Sequence, residues 1–150
     1  MAGEIKGIHH LKFPVSDMAR SCTFYEKVFG ARRIESLDHC HPDGTLFGMI
    51  LNVPGWGDTT LELRLNAKQA AKERGFDPVT VAVDGVDDLR AVAERLDQQG
   101  IPNSSVLTAM FGWVLITEDP DGRRVRFYTR ETHEPGLPLD ESPYLLEPED

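Results

Sequence analysis

Apolar and polar residues alternate from Ile8 to Val15. His9, Leu11, Phe13 and Val15 fall on one face of a strand, and Ile8, His10 and Lys12 on the other. Pro14 lacks the amide hydrogen a ladder needs, so this strand belongs at a sheet edge or a strand end. Ser16 or Asp17 then caps a helix on which Met18, Cys22, Tyr25 and Phe29 recur at helical spacing. Phe24 and Val28 widen that stripe, and Gly30 stops the helix. Strands are predicted over Arg33–His39, Leu46–Val53 and Thr59–Leu65, separated by the turns His41-Pro42-Asp43-Gly44 and Pro54-Gly55-Trp56-Gly57-Asp58. In the last strand Leu61, Leu63 and Leu65 face one way; Thr60, Glu62 and Arg64 face the other.

A polar stretch rich in alanine and lysine, Asn66 to Asp77, reads as a short surface helix between two halves. The same order then returns. Val79–Val83 is a strand, and Asp87 is the expected cap of a helix carrying Leu89, Val92, Ala93 and Leu96. Gly100-Ile101-Pro102 ends that helix, and Ser104–Ala109, Gly112–Thr117 and Arg124–Arg130 are three further strands. Val15-Ser16-Asp17 corresponds to Val83-Asp84-Gly85, and Gly30 to Gly100, so the chain is an internal repeat of a βαβββ unit. Each half alone has too little core, which predicts one domain: module one over 5–65, a linker over 66–77, module two over 78–130 and an acidic, proline-bearing tail over 131–150. The tail is expected to be extended over the surface or partly disordered.

Composition narrows the function classes. The 150 residues are 40% hydrophobic, enough for a core without disulfides, and the formal charge is −9. An acidic chain gains nothing from the phosphate attraction behind most nucleic-acid binding, and it does not suit anionic membranes. Two cysteines, no apolar leader and no membrane-length apolar run give a cytoplasmic expectation, with no nucleic-acid or membrane partner. Cys22 lies on the apolar stripe and is expected in the core. Arg123 and Arg124, at a hairpin end, are expected to be solvated. No phosphate loop, dinucleotide fingerprint, serine elbow or zinc-protease motif is present.

The ordered set Ile8-His9-His10-Leu11, Val15-Ser16-Asp17, Phe24-Tyr25 and Gly30, with Asp119-Pro120-Asp121-Gly122 before Val125-Arg126-Phe127-Tyr128, resembles the vicinal oxygen chelate superfamily of glyoxalases, extradiol dioxygenases, fosfomycin resistance enzymes and bleomycin-binding proteins. The resemblance implies an α+β fold of two βαβββ modules forming a curved, barrel-like sheet, and a homodimer. In the metal-dependent relatives four side chains converge in a cup between the modules. Their positions correspond here to His10, Glu62, Pro78 and Arg126. Pro78 offers no donor and Arg126 is a cation, so the expectation is no metal and no cofactor.

The residues left at the cup point to organic chemistry. Arg126 would pair with Glu62 or meet a carboxylate, phenolate or enolate, with Tyr128 on the same side and Thr80 on the opposite wall. Phe111 and Trp113 would line an apolar ligand, and His39, beside a hairpin tip, would reach the mouth. The leading expectation is metal-independent binding of a small aromatic or polyketide-like molecule, as in sequestration or resistance. One alternative is a metal-independent lyase, isomerase or cyclase, with His10 and Glu62 moving protons and Arg126 and Tyr128 stabilising an oxyanion. The other is a metal-dependent glyoxalase-like lyase or dioxygenase.

Overall fold

The computed structural model describes residues 2–140, and the chain divides into two compact units, Met1–Lys72 and Glu73–Asp150. The first unit contains β1 (His10–Val15), α1 (Met18–Phe29), β2 (Arg32–Arg33), a single 3-10 turn (Glu35–Leu37), β3 (His39–Cys40), β4 (Leu46–Asn52), β5 (Thr60–Leu65) and α2 (Ala67–Lys72). Its sheet runs β1-β5-β4-β2, and β3 also pairs with β4. β1 is parallel to β5 and lies at the edge, where the missing amide of Pro14 is tolerated.

The Asp17 carboxylate accepts the Arg20 amide at 2.9 Å and caps α1; Gly30 ends it at φ 67°, a left-handed conformation that disfavours a side chain. Apolar residues fill the space between α1 and the sheet. Phe13 and Val15 of β1, Met49 and Leu51 of β4, and Leu61 and Leu63 of β5 are buried with Cys22, Phe24, Tyr25 and Val28. Tyr25 is central, its ring 5.7 Å from Phe13, 5.0 Å from Phe24 and 5.3 Å from Phe29.

The second unit contains β6 (Thr80–Val83), α3 (Val86–Gln98), β7 (Leu107–Thr108), β8 (Trp113–Glu118) and β9 (Arg124–Thr129), in the sheet order β6-β9-β8-β7. Register puts Val81, Phe127 and Leu115 in one row. α3 packs on β8 and β9 with Leu89, Val92 and Leu96 buried. The neighbouring rows place Thr80, Arg126 and Ile116 together, then Ala82, Tyr128, Val114 and Leu107. Leu107, Ala109, Val114 and Ile116 form a buried apolar cluster against which Tyr128 packs.

Several expectations need correction. The two βαβββ modules are present, but neither sheet closes or curls into a barrel. Closure would require the two outer strands of a sheet to hydrogen-bond to each other. Here both paths stay open, ending at β1 and β2 in one unit and at β6 and β7 in the other. The strand expected over Arg33–His39 is broken by the 3-10 turn into two pairs of residues, and only Leu107–Thr108 of the Ser104–Ala109 run is strand. Asp87 does not cap α3. Gly85 holds that place, its amide donating to Asp88 at 2.8 Å, while the Val86 amide donates to Glu131 at 2.9 Å.

Arg123 is buried with 0% exposure instead of solvated. Its guanidinium meets Asp119 and Glu73, and Asp119 also accepts the amides of Asp121 at 2.9 Å and Arg123 at 3.0 Å. A compact turn therefore leaves the arginine inside, where only paired charge is tolerated. Of the expected tail, 131–140 follows the β7–β8 hairpin. The His133 amide donates to the Phe111 carbonyl at 3.1 Å, and the Asp140 amide to Thr108 at 3.1 Å. Residues 141–150 lie outside the described part of the chain.

Candidate functional sites

In the first unit, alternation along three paired strands gathers charge on one sheet face. Lys12 of β1 lies opposite Glu62 of β5, and Arg64 follows Glu62 on the same face. Across β4, Gly48 lies opposite both Arg64 and His39. Glu62 is only 2% exposed. Its Oε1 is 3.1 Å from the Arg64 guanidinium and 3.2 Å from His39 Nδ1; its Oε2 is 3.4 Å from the Lys12 ammonium. Burial pushes the Glu62 carboxyl up, yet Arg64 and Lys12 overcome it and hold the group below the usual carboxylate range. Glu62 is thus a fixed anion, poorly suited to take up a proton itself.

His39 is held by what lies beneath it. A Cβ on Gly48 would come within 3.0 Å of both Cβ and Nδ1 of His39, so the imidazole occupies space only glycine leaves. Phe47 flanks the site: its ring centroid is 5.8 Å from that of His39, 4.4 Å from the stacked ring of His41, and 5.1 Å from the Arg64 guanidinium carbon. His10 stands exposed at the start of β1, with Nδ1 3.0 Å from Nδ1 of His9.

In the second unit, Arg126 is buried and pairs with Asp77. Thr80 is its exposed register partner. Tyr128 works structurally as well: its hydroxyl accepts the Phe111 amide at 2.9 Å and fixes the tip of the β7–β8 hairpin. Phe111 is 67% exposed there, and Trp113 meets His133 edge-on at 5.3 Å. Between this tip and the following strap lies a cavity of about 580 Å3, lined by Met110, Phe111, Pro135, Leu137 and Leu139, with His133 and Thr132 at its polar side. Both ring nitrogens of His133 face carbonyls, Ala109 at 2.7 Å and Glu134 at 2.8 Å. The Glu134 and Ala109 carbonyls raise its pKa because only the imidazolium donates from both nitrogens.

Sequence alternation places Arg64 on one face with Glu62, but the ion pairs that Arg64 and Lys12 make with Glu62 follow only from the fold, because strand pairing sets Lys12 opposite Glu62. Asp77, the partner of Arg126, and His133, brought to the hairpin by the strap, carry no local signal, because chain reversal alone creates those contacts.

The side chains at the positions that the resemblance assigns to a metal do not fit a divalent ion. Glu62 already has two cations and an imidazole around it within 3.4 Å, and Arg126, itself a cation that cannot ligate a metal, is paired with Asp77. Among the described residues no three His, Cys, Asp or Glu side chains converge in a way that would hold a metal.

Residues 7–127 match the family model of the Glyoxalase/Bleomycin resistance protein/Dioxygenase superfamily. Among solved structures, TnmS3, an antibiotic binding protein from Streptomyces sp. CB03234, is 21% identical with a TM-score of 0.62, covering 86% of this chain and 98% of its own. A mutant of the fosfomycin resistance protein FosX from Listeria monocytogenes, complexed with Mn(II) and a dihydroxypropylphosphonic acid, is 14% identical with a TM-score of 0.67, covering 85% and 95%. An integron cassette protein from V. cholerae is 19% identical with a TM-score of 0.59, covering 85% and 98%. No curated protein sequence matches the chain significantly. The repeat, the two βαβββ modules and the family match agree: this chain belongs to the glyoxalase/bleomycin resistance protein/dioxygenase superfamily.

Proposed function

We propose that this protein binds a small, largely apolar organic molecule, aromatic or polyketide-like, and does so without a metal ion. The observation that carries the reading is the cavity of the second unit, where Met110, Phe111, Leu137 and Leu139 expose apolar surface around a volume of about 580 Å3. Such a volume suits a drug-sized ligand. The exposed Phe111 ring offers a face for stacking, and Tyr128 holds its backbone. The likeness to an antibiotic binding protein supports the same reading. Binding rather than turnover is favoured because Glu62 is a fixed anion and Arg126 is already matched by Asp77.

The test is a fluorescence titration with anilinonaphthalene sulfonate, an apolar aromatic probe, on folded protein with and without chelator. The expected result is saturable binding, indifferent to chelator and weakened about tenfold or more by Phe111→Ala, as loss of an aromatic contact implies. Binding that needs an added divalent ion, or that Phe111→Ala leaves unchanged, would overturn the reading.

A further inference from the structure

We infer that the apolar cavity of the second unit is gated by a proton on His133: the imidazolium holds the strap over 131–140 against the β7–β8 hairpin, and the cavity takes its ligand in that docked state. This regulation rests on the binding proposed for the same cavity. His133 Nε2 lies 2.7 Å from the Ala109 carbonyl, and Nδ1 lies 2.8 Å from the Glu134 carbonyl. A carbonyl only accepts, so both bonds need a proton on each nitrogen, and only the imidazolium carries two. A neutral ring keeps one bond and turns a lone pair towards the other oxygen, so that contact opens. Without the Ala109 bond, the strap loses its side-chain tie to the hairpin. Without the Glu134 bond, the backbone is released one residue before Pro135, where the cavity wall begins.

Either loss falls on the cavity. Met110 and Phe111 line it from the hairpin, and Pro135, Leu137 and Leu139 from the strap. Among the described residues, positions 135–139 make no hydrogen bond; the strap is tied on either side of them, at His133 and at Asp140. Leu137 and Leu139 stay exposed, so packing alone does not hold this wall. The hairpin 109–112 carries no titratable side chain. On the elements around the ring, the Tyr128 hydroxyl of β9 is taken by the Phe111 amide, Glu131 accepts the Val86 amide, Asp140 accepts the Thr108 amide, and the Arg130 and Glu134 side chains are exposed. From β8 the ring meets the Trp113 indole. The carbonyls of Glu134 and Ala109 raise the pKa of His133 against the opposing effect of burial. Docking is therefore complete below the ordinary imidazole pKa and is lost as pH rises through the raised value. Linkage is reciprocal, so a ligand that fills the docked cavity raises that pKa further.

N-phenylnaphthylamine tests the coupling. It is an aromatic probe that stays uncharged on both sides of the imidazole range, so attraction to a protein that gains charge on acidification does not enter. In a fluorescence titration of the full chain, the expected affinity is about tenfold weaker at about pH 8.5 than at about pH 5.5, the size of one lost charge-assisted hydrogen bond. In His133→Gln it is expected to be the same at both. His9, His10, His39 and His41 all lie in the first unit and are kept in that variant, so the comparison cancels them. An NMR titration of the wild-type protein needs no substitution: saturating probe is expected to raise the His133 pKa by about one pH unit, the same tenfold factor. Affinity that changes equally in wild type and His133→Gln, or a His133 titration that the probe leaves unmoved, would overturn the inference and leave the binding reading standing. A probe that binds at neither pH would overturn both.

Discussion

Single side chains set both the strengths and the weak points of this molecule. Asp119 accepts two amides and the buried Arg123, so Asp119→Ala removes the nearer of the two carboxylates that meet this buried charge and leaves the more distant Glu73. Breaking such a pair costs about 3–5 kcal/mol. Urea denaturation is expected to show a loss of that size, and a loss under about 1 kcal/mol, the range of an exposed pair, would contradict it. Glu62 is shifted the other way round from a free buried acid. Its folded-state pKa is lowered, so its stabilisation is complete above the ordinary carboxylate range and disappears as pH falls through the folded value. Glu62→Gln is therefore expected to flatten the acid limb of a stability–pH curve while lowering stability at neutral pH. The thiols divide in the same manner. Burial and the Glu26 carboxylate push Cys22 up to about 12, whereas Cys40 is exposed. Alkylation with iodoacetamide at neutral pH should label Cys40 alone until the protein is unfolded; early labelling of Cys22 would show that helix α1 opens locally.

Elements show how far sequence reasoning reaches. Helix α1 was readable from end to end, because its cap, its stripe and its left-handed glycine are all local signals. The polar face carrying Glu62 was readable too, since strand alternation is local. The Arg33–His39 segment was not. Its polar residues alternate as a strand would, but the Arg33–Asp38 ion pair closes the chain on itself around a 3-10 turn. The open sheets were also illegible, since two-residue outer strands are decided by tertiary contacts rather than by propensity. Arg123 was misjudged for a related reason: a hairpin end is normally solvated, and only the fold brings Glu73 and Asp119 to it.

The strap over 131–140 carries a prediction of its own. His133 reaches two carbonyls, and its folded-state pKa is raised, so its contribution is complete below the ordinary imidazole pKa and is lost as pH rises through the folded value. Around it stand Trp113 from β8, the Phe111 carbonyl and Tyr128 hydroxyl at the hairpin, and the strap's own Glu134. Hydrogen exchange at the His133 amide should therefore accelerate, beyond its intrinsic dependence on pH, as the imidazolium is titrated. In His133→Ala that extra acceleration should vanish. Identical behaviour in both proteins would show that the strap is held by Asp140 and apolar contacts alone.

At the scale of the whole molecule, the chain carries the family scaffold, and its buried charges are matched locally. Lys12 and Arg64 neutralise Glu62, and Asp77 neutralises Arg126, each within its own unit. No helix among the described residues is long and apolar enough to cross a membrane. The proposed function falls to the apolar cavity at the β7–β8 hairpin. The most direct test of metal-independent binding is native mass spectrometry of the full chain with anilinonaphthalene sulfonate, before and after treatment with a chelator. The account predicts a probe-bound species of unchanged abundance after chelation and no divalent ion in its mass. A probe adduct seen only together with one divalent ion per chain, and lost when the chelator removes that ion, would contradict it.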